Sequence, residues 1–386
     1  MGTRNSESGF TLVELMIASV ITMVVMGVAF TTFKDALVLN ETVVNVTEAS
    51  QNLRAGTNLL IRDLLQAGRN IPTGGISIPS GPGATPIVRP GPKDTSNYFK
   101  NDDENSTTLT AITTGAGLGP TISGRPTDLV TILMDDPHRD ELWLYPSNVT
   151  TDDARLSEDG SWFDVGPGVD NKKWLQGDQA EGIPAIGNGD LILFSTPAGS
   201  TLQTVTKVEE TVVHFEPNDP FNLNQRGAGA GSITQILPQP CPPPPVEPVE
   251  NDIKCRSGVG IRRVLMYTYF VQEETPGVPR LMRKLNLSAE QALAGVIEDL
   301  DMSYDLVDGT ENPTNVKDLP YDATIGGVPV TYSANQIRKV NLHVGVRSET
   351  LSPRVNDYLR NHLSTVVSLR NLAYVDRYDH EAAEGH

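Results

Sequence analysis

Cysteine is nearly missing from this chain, two residues in 386, which excludes a scaffold built on disulfides. Histidine is scarce as well, at six. His138, His214, His343, His362, His380 and His386 include no pair at metal-ligand spacing on an expected helix. Two cysteines without nearby histidines do not make a zinc site. No Gly-x-Ser-x-Gly elbow occurs. The glycine-rich runs at 115–119 and 227–231 carry neither the dinucleotide fingerprint nor the Lys-Ser/Thr of a phosphate loop. The chain is therefore expected to be no enzyme and to need no cofactor. Basic residues are outnumbered, 30 Lys and Arg against 48 Asp and Glu, for a formal charge of −18. That balance argues against nucleic acid as a partner of the bulk protein.

Glycine (34) and proline (28) together make about one residue in six, while aromatics are 6%. Such a composition points to loop-rich β structure rather than a helical bundle. The length allows two ordinary domains, or one elaborated domain on an anchor. One long apolar run exists, from Phe10 to Phe30, and it holds a single carboxylate near its start, Glu14. A lone acid in a segment long enough to cross a membrane is costly unless paired, so it marks a functional residue. If the chain is cut after Gly9, Phe10 gains a free amino group about one helical turn from Glu14. The amine of another copy or subunit is the more informative partner for that acid. The plain alternative is an uncleaved anchor that tolerates Glu14. A secretory leader fits poorly, because its apolar core should precede the cut.

Gly9-Phe10-Thr11-Leu12-Val13-Glu14, continued by Leu15-Met16-Ile17-Ala18, resembles the class III signal of type IV pilins and type II secretion pseudopilins. The resemblance implies cleavage between Gly9 and Phe10, N-methylation of Phe10, and a docking role for Glu14. It also implies a pilin-like α+β fold, in which a long N-terminal helix, hydrophobic in its first half, packs against an antiparallel β-sheet domain with long loop insertions. An inner-membrane precursor with its C-terminal domain in the periplasm, later extracellular in the pilus, follows from it.

Past Lys34-Asp35 the helix is expected to continue to Ala67. Leu39, Val43, Val46, Ser50, Leu53, Thr57, Leu60 and Leu64 recur at spacings of four and three, one apolar stripe. No proline interrupts until Pro72, and Gly68 with Asn70 supplies a stop. The expected divisions are a leader (1–9), an apolar span (10–33) and an amphipathic half packed on the domain (34–68). Irregular Gly/Pro/Thr-rich loops (69–126), a β-rich domain (127–375) and a disordered tail (376–386) follow. Strand patterns fall at 128–133, 141–145, 190–195, 202–208 and 211–215, then at 261–272, 280–287, 298–304, 337–347 and 358–369. Ser288 with Gln291 reads as a capping box opening a short helix over 289–296.

Cys241 and Cys255 bracket a proline-rich loop. An exported chain sits in an oxidising compartment, where the pair is expected to be bonded, and closing a loop of about fifteen residues stabilises by ~3 kcal/mol. Asp152-Asp153 reads as a solvated charge pair. Asp299, Asp301, Asp305 and Asp308 are weak calcium candidates, with a solvated acidic face as the plainer reading, since a hard cation needs six to eight converging oxygens. The helix-then-strand passage at Gly295-Val296-Ile297-Glu298, the strand from Arg338 to Ser348, and a closing Val-Ser-Leu-Arg-Asn resemble the PilW-type minor pilins. That second, diffuse resemblance implies other minor pilins, the major pilin and a large tip adhesin as partners, and the class III signal implies the prepilin peptidase. Two alternatives stay open. One is a J-like type II secretion pseudopilin, and the other a membrane-tethered periplasmic binding or enzymatic domain.

Overall fold

The computed structural model describes residues 9–81, 83–93, 97–101, 107–146, 154–227, 231–237, 259–352 and 356–372. A single helix, α1 (Leu12–Gln66), leads into a domain built of strands. At ~1.5 Å per residue its 55 residues span about 82 Å. It ends where Gly68 (φ 77°) and Asn70 (φ 53°) turn left-handed, a conformation that glycine and asparagine adopt at helix ends. The Gly68 N–H then bonds the Leu133 carbonyl at 2.9 Å, tying that end to the sheet.

Ten strands carry the domain: β1 (Val130–Asp135), β2 (Leu142–Pro146), β3 (Leu191–Thr196), β4 (Gly199–Thr204), β5 (Val259–Thr275), β6 (Val278–Leu285), β7 (Gln291–Ala294), β8 (Ile297–Leu306), β9 (Ile337–Arg347) and β10 (Arg360–Ser368). The 17-residue β5 is the spine. Its first half lies between β2 and β3, with β4 beyond β3; its second half lies between β1 and β6, with β7 beyond β6. A separate antiparallel sheet runs β8–β9–β10. Most of β5 is buried on both faces, including the polar Arg263, Thr268 and Gln272 beside its apolar residues, as in a strand covered on both sides. One core joins α1, β1, β8 and β9. A second is aromatic, with Phe163, Phe194 and Phe215 packed ring on ring beside β2 and β3.

The expected fold class is the one found, a long apolar N-terminal helix followed by a strand-rich domain. Each expected strand overlaps an observed one, and the region from 70 to 126 holds only two-residue strands among its described residues. The helix expected over 289–296 is not there. Gln291–Ala294 is instead β7, paired with the free edge of β6, and Ser288 bonds locally to the Ala289 carbonyl rather than capping a turn. A helix of eight residues ending at Gly295 has little stability of its own, whereas an unpaired β6 edge offers backbone hydrogen bonds. The small Ala294 also lets α1 close in: a Cβ placed on Gly56 would lie 2.7 Å from the Ala294 Cβ. The helical part of the C-terminal resemblance is thus absent. A second departure lies at Val169–Gln176, where the sequence signals no helix and one nevertheless forms, burying Trp174 and Leu175.

Candidate assembly site

Gly9 and Phe10 stand exposed at the start of α1. Thr11 is the N-cap. Its Oγ1 accepts from the Glu14 N–H at 3.3 Å, and Glu14 Oε2 accepts from the Thr11 N–H and hydroxyl, each at 2.9 Å. This is a reciprocal capping box, in which two of the helix's orphan donors are satisfied by side chains. Within one chain, then, the Glu14 carboxylate is held by Thr11. Sequence reading named Glu14 but missed this partner, although Thr11-Leu12-Val13-Glu14 is itself the S/T-x-x-E signature.

From Leu12 to Phe33 every side chain is exposed, and this is a helix long and apolar enough to cross a membrane. Its few hydroxyls suit that setting, because each returns its proton to a carbonyl of the preceding turn. Ser19 bonds Met16, Thr22 bonds Ala18, and Thr31 and Thr32 both bond Val28, at 2.7–2.9 Å. The stripe at spacings of four and three divides in two. Leu53, Thr57, Leu60 and Leu64 are buried against the domain. Leu39, Val43 and Val46 remain 51%, 55% and 40% exposed. Roughly the first 37 residues of α1 therefore stand clear of the domain, ~55 Å of free helix.

What roots the helix is a charge inside that stripe. Asp63 is 2% exposed. Its Oδ2 accepts from the Tyr269 hydroxyl on β5 at 2.6 Å and from Arg283 Nε and Nη2 on β6 at 3.0 and 2.7 Å. The Arg283 guanidinium lies 3.8 Å from the centre of the Tyr267 ring. Burial, reinforced by the Asp63 charge, pushes the Tyr269 phenol well above its ordinary pKa. One turn past the helix, Arg69 and Asn70 both bond the Asp135 carboxylate, at 3.0 and 2.7 Å. Arg262 reaches the same carboxylate at 3.3 Å. A stripe analysis that counts only apolar positions passes over Asp63. The signal available was an acid at the flank of a buried face, with Tyr267 and Tyr269 on β5 and Arg283 on the neighbouring β6, directly across from Tyr269.

The remaining candidate residues scatter. Asp299 stands 3.7 Å from Arg125 and 3.9 Å from His343, and Asp301 pairs with Lys317. Asp305 accepts from the Asn315 N–H and from Asn341. Asp308 closes its own turn, accepting from three backbone N–H groups and from Tyr332. Each acid has its own partners, and among the described residues no three His, Cys, Asp or Glu side chains are placed to hold a metal ion. Cys241, Cys255, the Asp152-Asp153 pair, leader residues 1–8 and tail residues 376–386 lie outside the described residues.

Residues 4–30 match the family model described as the prokaryotic N-terminal methylation motif. No curated protein and no solved structure matches the chain significantly. The matched segment covers Gly9 and Phe10, the capping box and most of the free apolar part of α1. The matched motif supports a type IV pilin-like N-terminus, of the kind that pilins and pseudopilins share. Its class III signal and single apolar N-terminal helix fit a precursor anchored in the inner membrane.

Proposed function

We propose that this chain is a minor pilin of the PilW type, a structural subunit that helps initiate a type IV pilus or sits in its tip complex. The observation that carries the reading is the methylation-type N-terminus on a helix standing some 55 Å clear of a large, loop-elaborated β domain. The prepilin peptidase would cut between Gly9 and Phe10, and Phe10 would then be methylated. In the filament, Glu14 exchanges Thr11 for the N-terminal amine of a neighbouring subunit, and the β domain meets the other minor pilins and a tip adhesin. Assembly is the work of this chain, not catalysis.

Two measurements test the reading. Mass spectrometry of the mature N-terminus should give N-methyl-Phe10, whereas an intact Met1 would return the chain to the class of simple tethered domains. Deleting the gene should abolish piliation while type II secretion continues; the reverse result would make it a pseudopilin.

A further inference from the structure

The outer face of the β8–β9–β10 sheet, turned away from α1, carries a groove of about 430 Å³, within the ~300–1,000 Å³ range of small-molecule sites. Its floor is a gap in the sheet's side-chain rows. Asp299, Gly345 and His362 lie directly across from one another on the three strands, and Gly345 contributes nothing to the middle. The neighbouring row supplies His343, whose Nδ1 is within 2.8 Å of the Ser364 hydroxyl, so that its ring is held in place. The His343 and His362 rings lie 5.7 Å apart and tilted by 36°, two flat surfaces beside the gap. One rim is the tight turn between Ile122 and Arg125, which brings the Arg125 guanidinium over Asp299. The other is Arg360, bound to Glu298 at 2.7 Å and to Asp357 at 3.0 Å.

The lining selects by elimination. Asp299 and Glu298 oppose an anion, and Arg125 and Arg360 oppose a cation. The two guanidinium groups and two carboxylates cancel, so the groove has no net charge to attract either. Apolar and polar atoms share the lining about equally, which suits an amphipathic ring better than a wholly lipophilic ligand. What the site offers is a dense set of donors and acceptors, several of them charged and so strong in hydrogen bonding. Adjacent hydroxyl groups on a sugar ring present the complementary donor–acceptor pairs. We infer that this groove binds a neutral oligosaccharide, with a ring seated over Gly345 between Asp299 and His362. The inference does not depend on how the chain is assembled.

The test uses the full-length chain in a detergent without a sugar headgroup. Maltotriose, cellotriose and chitotriose are titrated singly, with trigalacturonate and spermidine as charged comparators. At least one neutral trisaccharide should bind saturably with a Kd of ~1 mM or tighter. Arg125→Ala and Gly345→Val should each weaken it by about tenfold or more, and Arg125→Ala, altering an exposed side chain, should leave the melting temperature unchanged. The inference is overturned if none of the three saturates, if a charged comparator binds more tightly, or if Arg125→Ala binds like the parent chain.

Discussion

Replacing Asp63 by alanine should loosen the rooting of α1 about as much as truncating a buried leucine of the stripe. The carboxylate accepts three short bonds, one from Tyr269 and two from Arg283. Its loss strands a guanidinium whose side chain is only 14% exposed. Breaking one partner of a buried pair costs about 3–5 kcal/mol. The Tyr267 ring under Arg283 offsets a part, ~0.5–1 kcal/mol, so the expected loss is about 3 kcal/mol. At ~2–4 °C per kcal/mol for a domain of this size, thermal unfolding by circular dichroism should shift down by roughly 6–12 °C. A double-mutant cycle with Arg283→Met should recover about 2 kcal/mol of that loss as coupling. Hydrogen exchange should rise over residues 50–67 and stay level in the aromatic core. A loss under ~1 kcal/mol, or additive single changes, would refute the claim that this charge pair roots the helix.

Four further outcomes follow from other contacts of the chain. Glu14→Ala should be cleaved and methylated normally yet fail to enter filaments, read by mass spectrometry and by blotting sheared pili; normal incorporation would remove the amine-pairing mechanism. Gly56→Val should destabilise by ~1–3 kcal/mol, the usual range for overpacking, because a Cβ at Gly56 already meets Ala294 at 2.7 Å; an unchanged melt would show that α1 can back away from β7. The third concerns pH. Folding raises the Tyr269 pKa, so the stability it contributes is complete below the unfolded value of about 10 and drains away as pH rises beyond it. Tyr269→Phe should flatten that alkaline decline. At the acid end Asp136 behaves oppositely. Burial alone would raise its pKa, but the His138 N–H and the Arg263 and Arg139 guanidinium groups outweigh burial and lower it. Its contribution is present above pH ~4 and is lost as pH falls further, a decline that Asp136→Asn should shorten.

How much was legible differs element by element. The strand over 337–347 alternates polar and apolar residues, and it was readable to the residue because one face is buried and the other wet. Val169–Gln176 was not, because it buries only Trp174 and Leu175 and its remaining residues look like a solvated loop. The 289–296 stretch was misread because capping signals describe what a segment prefers alone, and the empty β6 edge outbid that preference. Asp63 was invisible for a related reason. An acid on a helix face reads as solvent-facing until the tyrosine and arginine that receive it are placed.

Local chemistry alone determined the N-terminal device. Gly9, Phe10, the Thr11–Glu14 box and the uninterrupted apolar run lie within about twenty residues, and their arrangement needs only helix geometry. Tertiary structure decided where that device stops and the domain begins. The same stripe that leaves Leu39, Val43 and Val46 bare covers Leu53 and Leu60, and no change in periodicity marks the transition. The boundary falls where β7, β9 and β10 come within reach, where Gly56 permits close approach and where Asp63 finds its partners across more than two hundred residues of chain. Contacts at that separation follow from the path of the whole backbone, which no window of sequence contains.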